Sequence, residues 1–179
     1  AMANLARESA AEQTGLRLAG SPPAVELLLV GDGPSEYALR REAYDLGIDD
    51  RVRFLGNRGD VPELLAASDI FVLATNWEGL PRSIIEALRA GLPVVATDLA
   101  GIPELVAEGE NGYLVPRADA RTLAARLAEL IADDELRARM GARSRRRFEE
   151  EFSFERMYEQ TRTLYEAVHA GLAPGGAVS

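Results

Sequence analysis

A chain of 179 residues, 47% hydrophobic and 27% charged, is long enough to bury one sizeable core and reads as a globular domain. Its net charge of -9 argues against nucleic acid or an anionic membrane surface as a partner. The absence of cysteine excludes disulfides, thiolate nucleophiles and cysteine metal sites, and the single histidine, His169, lies near the C-terminus, where an exposed helix-end residue is expected rather than a catalyst.

No apolar run reaches the ~18 residues of a membrane span. The N-terminus is Ala-rich but lacks the basic start and apolar centre of a signal peptide, so a cytoplasmic location is expected. Residues 1–24 carry a weak helical pattern through Leu5, Ala6, Ala10, Leu16 and Leu18, interrupted by Gly15. They predict a helical or poorly ordered N-terminal segment rather than a strand. Five short apolar, β-branched-rich runs follow, at Val25–Val30, Val52–Leu55, Ile70–Ala74, Pro93–Thr97 and Gly112–Val115. Several are apolar without alternation, as strands covered on both faces are.

Helical patterns separate these runs. Ser35 can cap a helix that stops at Gly47. Asp60 can cap a short helix through Leu64 and Leu65. Pro81 opens a helix ending near Gly91, and Pro103 opens a short one through Leu105 and Val106. After Val115 the pattern is all helix, with caps expected at Asp119, at Asp133 or Asp134, and at Ser153. Strands alternating with helices predict an α/β fold, a Rossmann-like doubly wound parallel sheet over residues 25–170 with C-terminal helices. Residues 171–179 read as a disordered tail. With no convincing strand before Val25, the first strand of such a sheet is expected to be missing. Ligands of these sheets bind at the carboxyl ends of the strands.

The richest segment runs from Trp77 through Glu78, Gly79, Leu80, Pro81, Arg82 and Ser83 to Glu86. A strand leads into a Gly-Leu-Pro turn and a helix starts there. The free N–H groups and the helix dipole at such a start suit an anion, a diphosphate above all. On a helical wheel Ile84, Ala87, Leu88 and Gly91 face the sheet, and Glu86 points away. Taken alone, Glu86 is best read as a solvated partner of Arg82 at i, i+4. Trp77 could border the site, but a partly buried packing residue is the favoured expectation, and the cluster Arg143, Arg145, Arg146 and Arg147 reads as a solvated helix face.

The combination is more specific than its parts. Glu78-Gly79-Leu80-Pro81 with Glu86-Ala87 precedes Ala90-Gly91-Leu92-Pro93-Val94-Val95-Ala96 and Gly101-Ile102-Pro103-Glu104-Leu105-Val106. Val30-Gly31-Asp32-Gly33-Pro34, Val52-Arg53-Phe54-Leu55-Gly56, Ala67-Ser68-Asp69-Ile70-Phe71-Val72 and Asn111-Gly112-Tyr113-Leu114-Val115 complete the series. In this order and spacing the chain resembles the C-terminal, donor-binding half of a family-four retaining glycosyltransferase of the GT-B fold. The resemblance covers about Val25 to Val168.

It implies transfer of a hexose from a nucleotide-sugar to an acceptor, without a metal or any other cofactor. By this resemblance Glu86 would bind the ribose hydroxyls, and the backbone from Leu80 to Ser83, Arg82 included, would hold the diphosphate. Glu78, the candidate catalytic-site carboxylate though not a nucleophile, would contact the transferred sugar together with Gly79, Leu80 and Pro81. Gly31 and Gly33 would admit the donor to a close approach, and Arg58 would lie near the base.

Three departures qualify the match. Members of the family carry an Arg and a Lys early in this half to neutralise the diphosphate, whereas this chain contains no lysine. Arg17 echoes that arginine, but the distance from Leu18 to Val25 is too short for a parallel crossover. Ala100-Gly101 stands where Gly-Gly is usual, which would narrow the loop facing the donor sugar. No acceptor domain is recognisable, so the domain is expected to be inactive in isolation. That missing N-terminal domain is an expected partner. So is a second copy, through the last helix or the incomplete sheet, with Met157, Tyr158, Leu164 or Tyr165 exposed. The alternatives are a non-catalytic nucleotide-sugar-binding or regulatory module, and half of a nucleotide-sugar epimerase. A dinucleotide oxidoreductase is disfavoured because Gly31-Asp32-Gly33 lacks the third glycine of that fingerprint.

Overall fold

Non-alternating apolar runs become the middle of a sheet covered on both faces. The computed structural model describes residues 25–170, and residues 2–7 as backbone. Its strands are β1 (Met2–Arg7), β2 (Val25–Val30), β3 (Val52–Gly56), β4 (Ile70–Leu73), β5 (Val94–Thr97) and β6 (Gly112–Val115). Its helices are α1 (Glu36–Asp45), α2 (Val61–Ala66), α3 (Arg82–Ala90), α4 (Ala120–Ala132), α5 (Asp134–Arg147) and α6 (Phe154–His169). The sheet order is β3-β2-β1-β4-β5-β6. The pairs β2–β3, β4–β5 and β5–β6 are parallel.

Every residue of β4 and of β5 is buried. Phe71, Leu73, Val94 and Ala96 face a layer that includes Leu65 of α2 and Ile84, Ala87 and Leu88 of α3. Ile70, Val72 and Val95 face the other way, towards Leu130 of α4 and Met140 of α5. Residues one apart on a strand thus serve two cores, which is why both are apolar. At the amino ends of β5 and β6, the buried Ser144 of α5 donates to the carbonyl of Leu92 (2.6 Å), with that of Asn111 at 3.4 Å.

The N-terminal segment departs from expectation. Met2–Arg7 is a strand, and it fills the central place that the sequence left empty. It runs antiparallel to both neighbours, Met2 beside Val30 and Arg7 beside Val25, with Ala3 beside Val72. The sheet is therefore mixed rather than wholly parallel. An open slot between β2 and β4 would leave two rows of backbone N–H and C=O groups unpaired. An extended segment of either direction satisfies them, and an antiparallel one needs no crossover helix before β2. The sheet thereby loses its incomplete position as a reason to pair with a second copy. The arginine echo at Arg17 and the tail 171–179 lie outside the described residues.

The second departure is at Pro103. Residues 101–105 form turns, not a helix, closed by Leu105 N–H and Val106 N–H to the Ile102 carbonyl. The buried Asn111 side chain takes the next groups: its Oδ1 accepts from Ala107 N–H (2.7 Å) and its Nδ2 donates to the Leu105 carbonyl (3.1 Å). Helical propagation would need those groups. Ile102, Leu105 and Val106 are nevertheless fully buried, so the apolar spacing records burial rather than a helix.

The caps divide. Asp119, Asp133 and Ser153 accept from Thr122, Leu136 and Arg156 backbone N–H at the starts of α4, α5 and α6. Ser35 and Asp60 occupy cap positions without a side-chain bond. Asp60 is instead held by Arg58, at 2.8 Å and 2.5 Å. Among the described residues no helix is long and apolar enough to cross a membrane. The last helix buries none of its residues, and Met157, Tyr158, Leu164 and Tyr165 are all exposed, as expected.

Candidate functional site

The loop from β4 to α3 forms by a sequence of local ties. Thr75 N–H donates to the Oγ1 of Thr97 at the end of β5 (3.1 Å). Thr75 Oγ1 then accepts from Trp77 N–H (3.3 Å) and donates to the Trp77 carbonyl (3.2 Å). These bonds fix the departure of the chain from the sheet, and Asn76 to Leu80 project into solvent. Pro81 is buried again and closes the excursion. It sits at the N-cap with φ -72° and ψ 107°, one position earlier than the sequence suggests, so the helix proper starts at Arg82.

No side chain caps α3. The N–H groups of Arg82 and Ser83 donate to no acceptor among the described residues. They stand at the positive end of the helix dipole, where an anion is favoured. Glu78 is exposed and Glu86, one turn into the helix, is half-buried. Neither makes a hydrogen bond or ion pair among the described residues, and the Arg82–Glu86 pair allowed by i, i+4 spacing does not form.

The loop after β5 lies directly on this turn. Gly101 adopts φ +85°, and a Cβ there would collide with the Gly79 carbonyl oxygen, with Leu80 N just beyond. Only glycine permits both the backbone angle and the approach. The contact brings Leu99 and Ala100 beside Glu78 and Gly79, lining an open pocket that Arg117, just past β6, completes. Arg117 donates from Nε to Asn76 Oδ1 (3.1 Å), and its guanidinium lies 4.8 Å from the centre of the Trp77 ring. Trp77 is 80% exposed, contrary to its expected packing role. The loop carries it off the sheet, and Arg117 is the cation stacked on it.

Across the β1 position, Gly31 at φ +108° follows β2 and donates to the Gly56 carbonyl (2.8 Å). Asn57 Nδ2 donates to Asp32 Oδ2 (2.6 Å), so the loops after β2 and β3 are joined. Gly31, Gly33 and Phe54 border a second depression. A Cβ on Gly33 would meet nothing within 4 Å, so packing does not require that glycine. Arg58 is bound to Asp60 rather than free to reach along the edge. The Arg58 hydrogen bond holds the Asp60 carboxyl below its ordinary pKa, and the same bond raises that of Arg58.

The sequence-derived residues thus form two groups on the carboxyl edge of the sheet. Glu78, Gly79 and Leu80 to Ser83, with Glu86 behind them, lie after β4. Gly31, Gly33 and Arg58 lie after β2 and β3. Arg117 and the Thr75–Thr97 tie were not singled out from sequence. The one signal for Arg117 was a cation immediately after the last strand, on the same edge.

Residues 9–147 match the family model described as glycosyl transferases group 1. The chain belongs to that family. Over 140 residues it is 39% identical to N-acetyl-alpha-D-glucosaminyl L-malate synthase of Bacillus anthracis, covering 78% of this chain and 37% of that one. Over 133 residues it is 38% identical to the lipopolysaccharide core biosynthesis glycosyltransferase LpsE of Rhizobium meliloti, covering 74% and 39%. Among solved structures it is similar to Anabaena Alr3699/HepE in complex with UDP, with a TM-score of 0.74, 32% identity and coverage of 78% of this chain and 40% of that one. The same protein in complex with UDP-glucose gives a TM-score of 0.71 at 34% identity. The fold is that of a GT-B glycosyltransferase domain. The chain spans about two fifths of the length of these relatives.

Proposed function

We propose that this domain binds a nucleotide-sugar and holds it for transfer of its hexose, with retained anomeric configuration, to an acceptor carried by another domain. The observation that carries this reading is the uncapped start of α3. Two free backbone N–H groups stand there between two glutamates, neither of which has a partner among the described residues. Free donors favour a diphosphate, and unpaired carboxylates favour hydroxyl groups. The reading assigns the diphosphate to the amides near Leu80 to Ser83, the ribose to Glu86, and the transferred sugar to Glu78 and Gly79. Gly31 and Gly33 border the approach to the nucleotide, and Arg58, paired with Asp60, would need to exchange that partner to reach the base.

As the leaving group departs, negative charge grows on the diphosphate. Preoriented N–H groups stabilise that charge more than they stabilise the bound donor, which is how they would accelerate the reaction. Glu78 positions hydroxyls; the reading gives it no covalent role. UDP and UDP-glucose in the related Anabaena structures support a nucleotide-sugar as the ligand class. Because this domain corresponds to about two fifths of its relatives, the reading expects binding without turnover when it is alone.

The test is calorimetric titration of the chain with UDP, GDP and ADP, repeated on Glu86→Ala. One nucleotide binding, and binding at least about tenfold weaker in the variant, is the expected result, since a lost hydrogen bond to a charged group is worth roughly 1.5–3 kcal/mol. Failure of all three nucleotides to bind would refute the assignment.

A further inference from the structure

The pocket beside Glu78 contains a cation that the donor reading leaves unused. Most anchored arginines here are held by carboxylates: Arg40 by Glu36, Arg58 by Asp60, Arg137 by Asp134, Arg145 by Glu149. Arg117 is anchored differently. Its Nε is taken by the neutral amide of Asn76, and its plane lies over Trp77. Among the described residues it forms no ion pair. It is an exposed guanidinium, tethered at Nε and free of carboxylate partners, in a chain whose net charge is -9.

We propose that Arg117 is a specificity-determining residue that binds the carboxylate of an acidic sugar lying against Glu78 and Gly79. The proposal rests on the nucleotide-sugar reading above and narrows its hexose to a hexuronic acid, or to an acceptor sugar of the same acidity. Three features of the pocket carry it. The Nη groups form a two-pronged donor that matches a carboxylate, and the Nε bond and the ring stacking restrict the side chain before any ligand arrives. Trp77 lines the same pocket and is 80% exposed, so the ring surface that Arg117 leaves uncovered is open to the C–H face of a pyranose. Glu78 lines the same pocket and repels an anion at its own end, so the carboxylate is directed to the Arg117 end and the hydroxyls to Glu78.

The experiment titrates the whole chain with UDP, UDP-glucose and UDP-glucuronate, and titrates the UDP-saturated chain with sodium glucuronate. Arg117→Gln and Arg117→Lys are treated in parallel. The expected result is UDP-glucuronate binding about tenfold tighter than UDP-glucose, an advantage erased in Arg117→Gln and reduced in Arg117→Lys, with UDP affinity unchanged in both. Arg117-dependent binding of free glucuronate instead would support the same site with the carboxylate on the acceptor. Equal affinity for the two sugars with no binding of glucuronate, or a preference that survives Arg117→Gln, overturns the proposal while UDP binding leaves the nucleotide reading standing. If UDP does not bind, the uridine form of that reading fails, and the inference as tested falls with it.

Discussion

The two halves of the sheet are built to different standards. In β4 and β5 every residue is buried, and helices close both faces. In β2 only Leu28 and Val30 are buried, β3 has no buried residue, and α1 buries only Ala43 while exposing Tyr37 and Tyr44. The loops expected to hold the diphosphate and the sugar rise from the first half. Those expected near the base rise from the second. The groups proposed to meet the developing charge thus stand on the more deeply buried support, while those proposed for the base stand on elements with less burial to restrain them.

The comparison breaks most severely if a core residue of the first half proves dispensable. Leu88→Ala, at a position with no exposure, is expected to cost about 2–5 kcal/mol in urea unfolding. Gly101→Ala comes next. Its backbone angle and its collision with Gly79 predict a loss of roughly 1–3 kcal/mol. It should also weaken nucleotide binding, because the turn must shift, and unaltered UDP affinity would show that the two loops are not coupled.

A pH series sharpens the same contrast. Bonds from Thr122, the hydroxyl first and then the backbone N–H, hold the Asp119 carboxyl below its ordinary pKa. The folded value is the depressed one, so this contribution is complete above the unfolded pKa of about 3.9 and disappears as pH falls through the lower folded value. Asp119→Asn keeps a capping oxygen and removes the titration. The acid-induced loss of stability should therefore be less steep in the variant, and superimposable curves would remove Asp119 from the account. The smallest effect belongs to the second half: Tyr44→Ser, at 72% exposure, should change stability by no more than about 0.5 kcal/mol.

The parts legible in the sequence were those whose cause is local. Strands β2 to β6 announced themselves as apolar runs between turn residues, and the caps at Asp119, Asp133 and Ser153 by residue type. The misreadings share a distant cause. The turn at Pro103 depends on Asn111, several residues downstream, taking the groups a helix would use. The strand Met2–Arg7 owes its place to two neighbours that are far from it in sequence or direction, and nothing in its own composition requires extension. Arg117 is joined to Asn76 across 41 positions, so no pattern within one segment could connect them. The segment from Trp77 to Glu86 was legible as a turn opening a helix because it lies within a single strand-turn-helix unit.

Ser144 has a consequence for how such a domain diversifies. One hydroxyl from α5 reaches the carbonyls of Leu92 and Asn111 together, at the amino ends of β5 and β6. Sliding either strand by a residue would move its carbonyl away and reverse the faces of its side chains. Alignment is therefore secured at the end remote from the proposed site as well as beside it. The opposite rim has ties of its own, Asp98 N–H to the Val115 carbonyl (2.8 Å) and Thr75 N–H to Thr97 Oγ1 (3.1 Å), so the loops beyond those ties can be lengthened, shortened or exchanged while the strands keep their places. If the rim holds a nucleotide-sugar as proposed, new sugars can be accommodated by rewriting those outer loops.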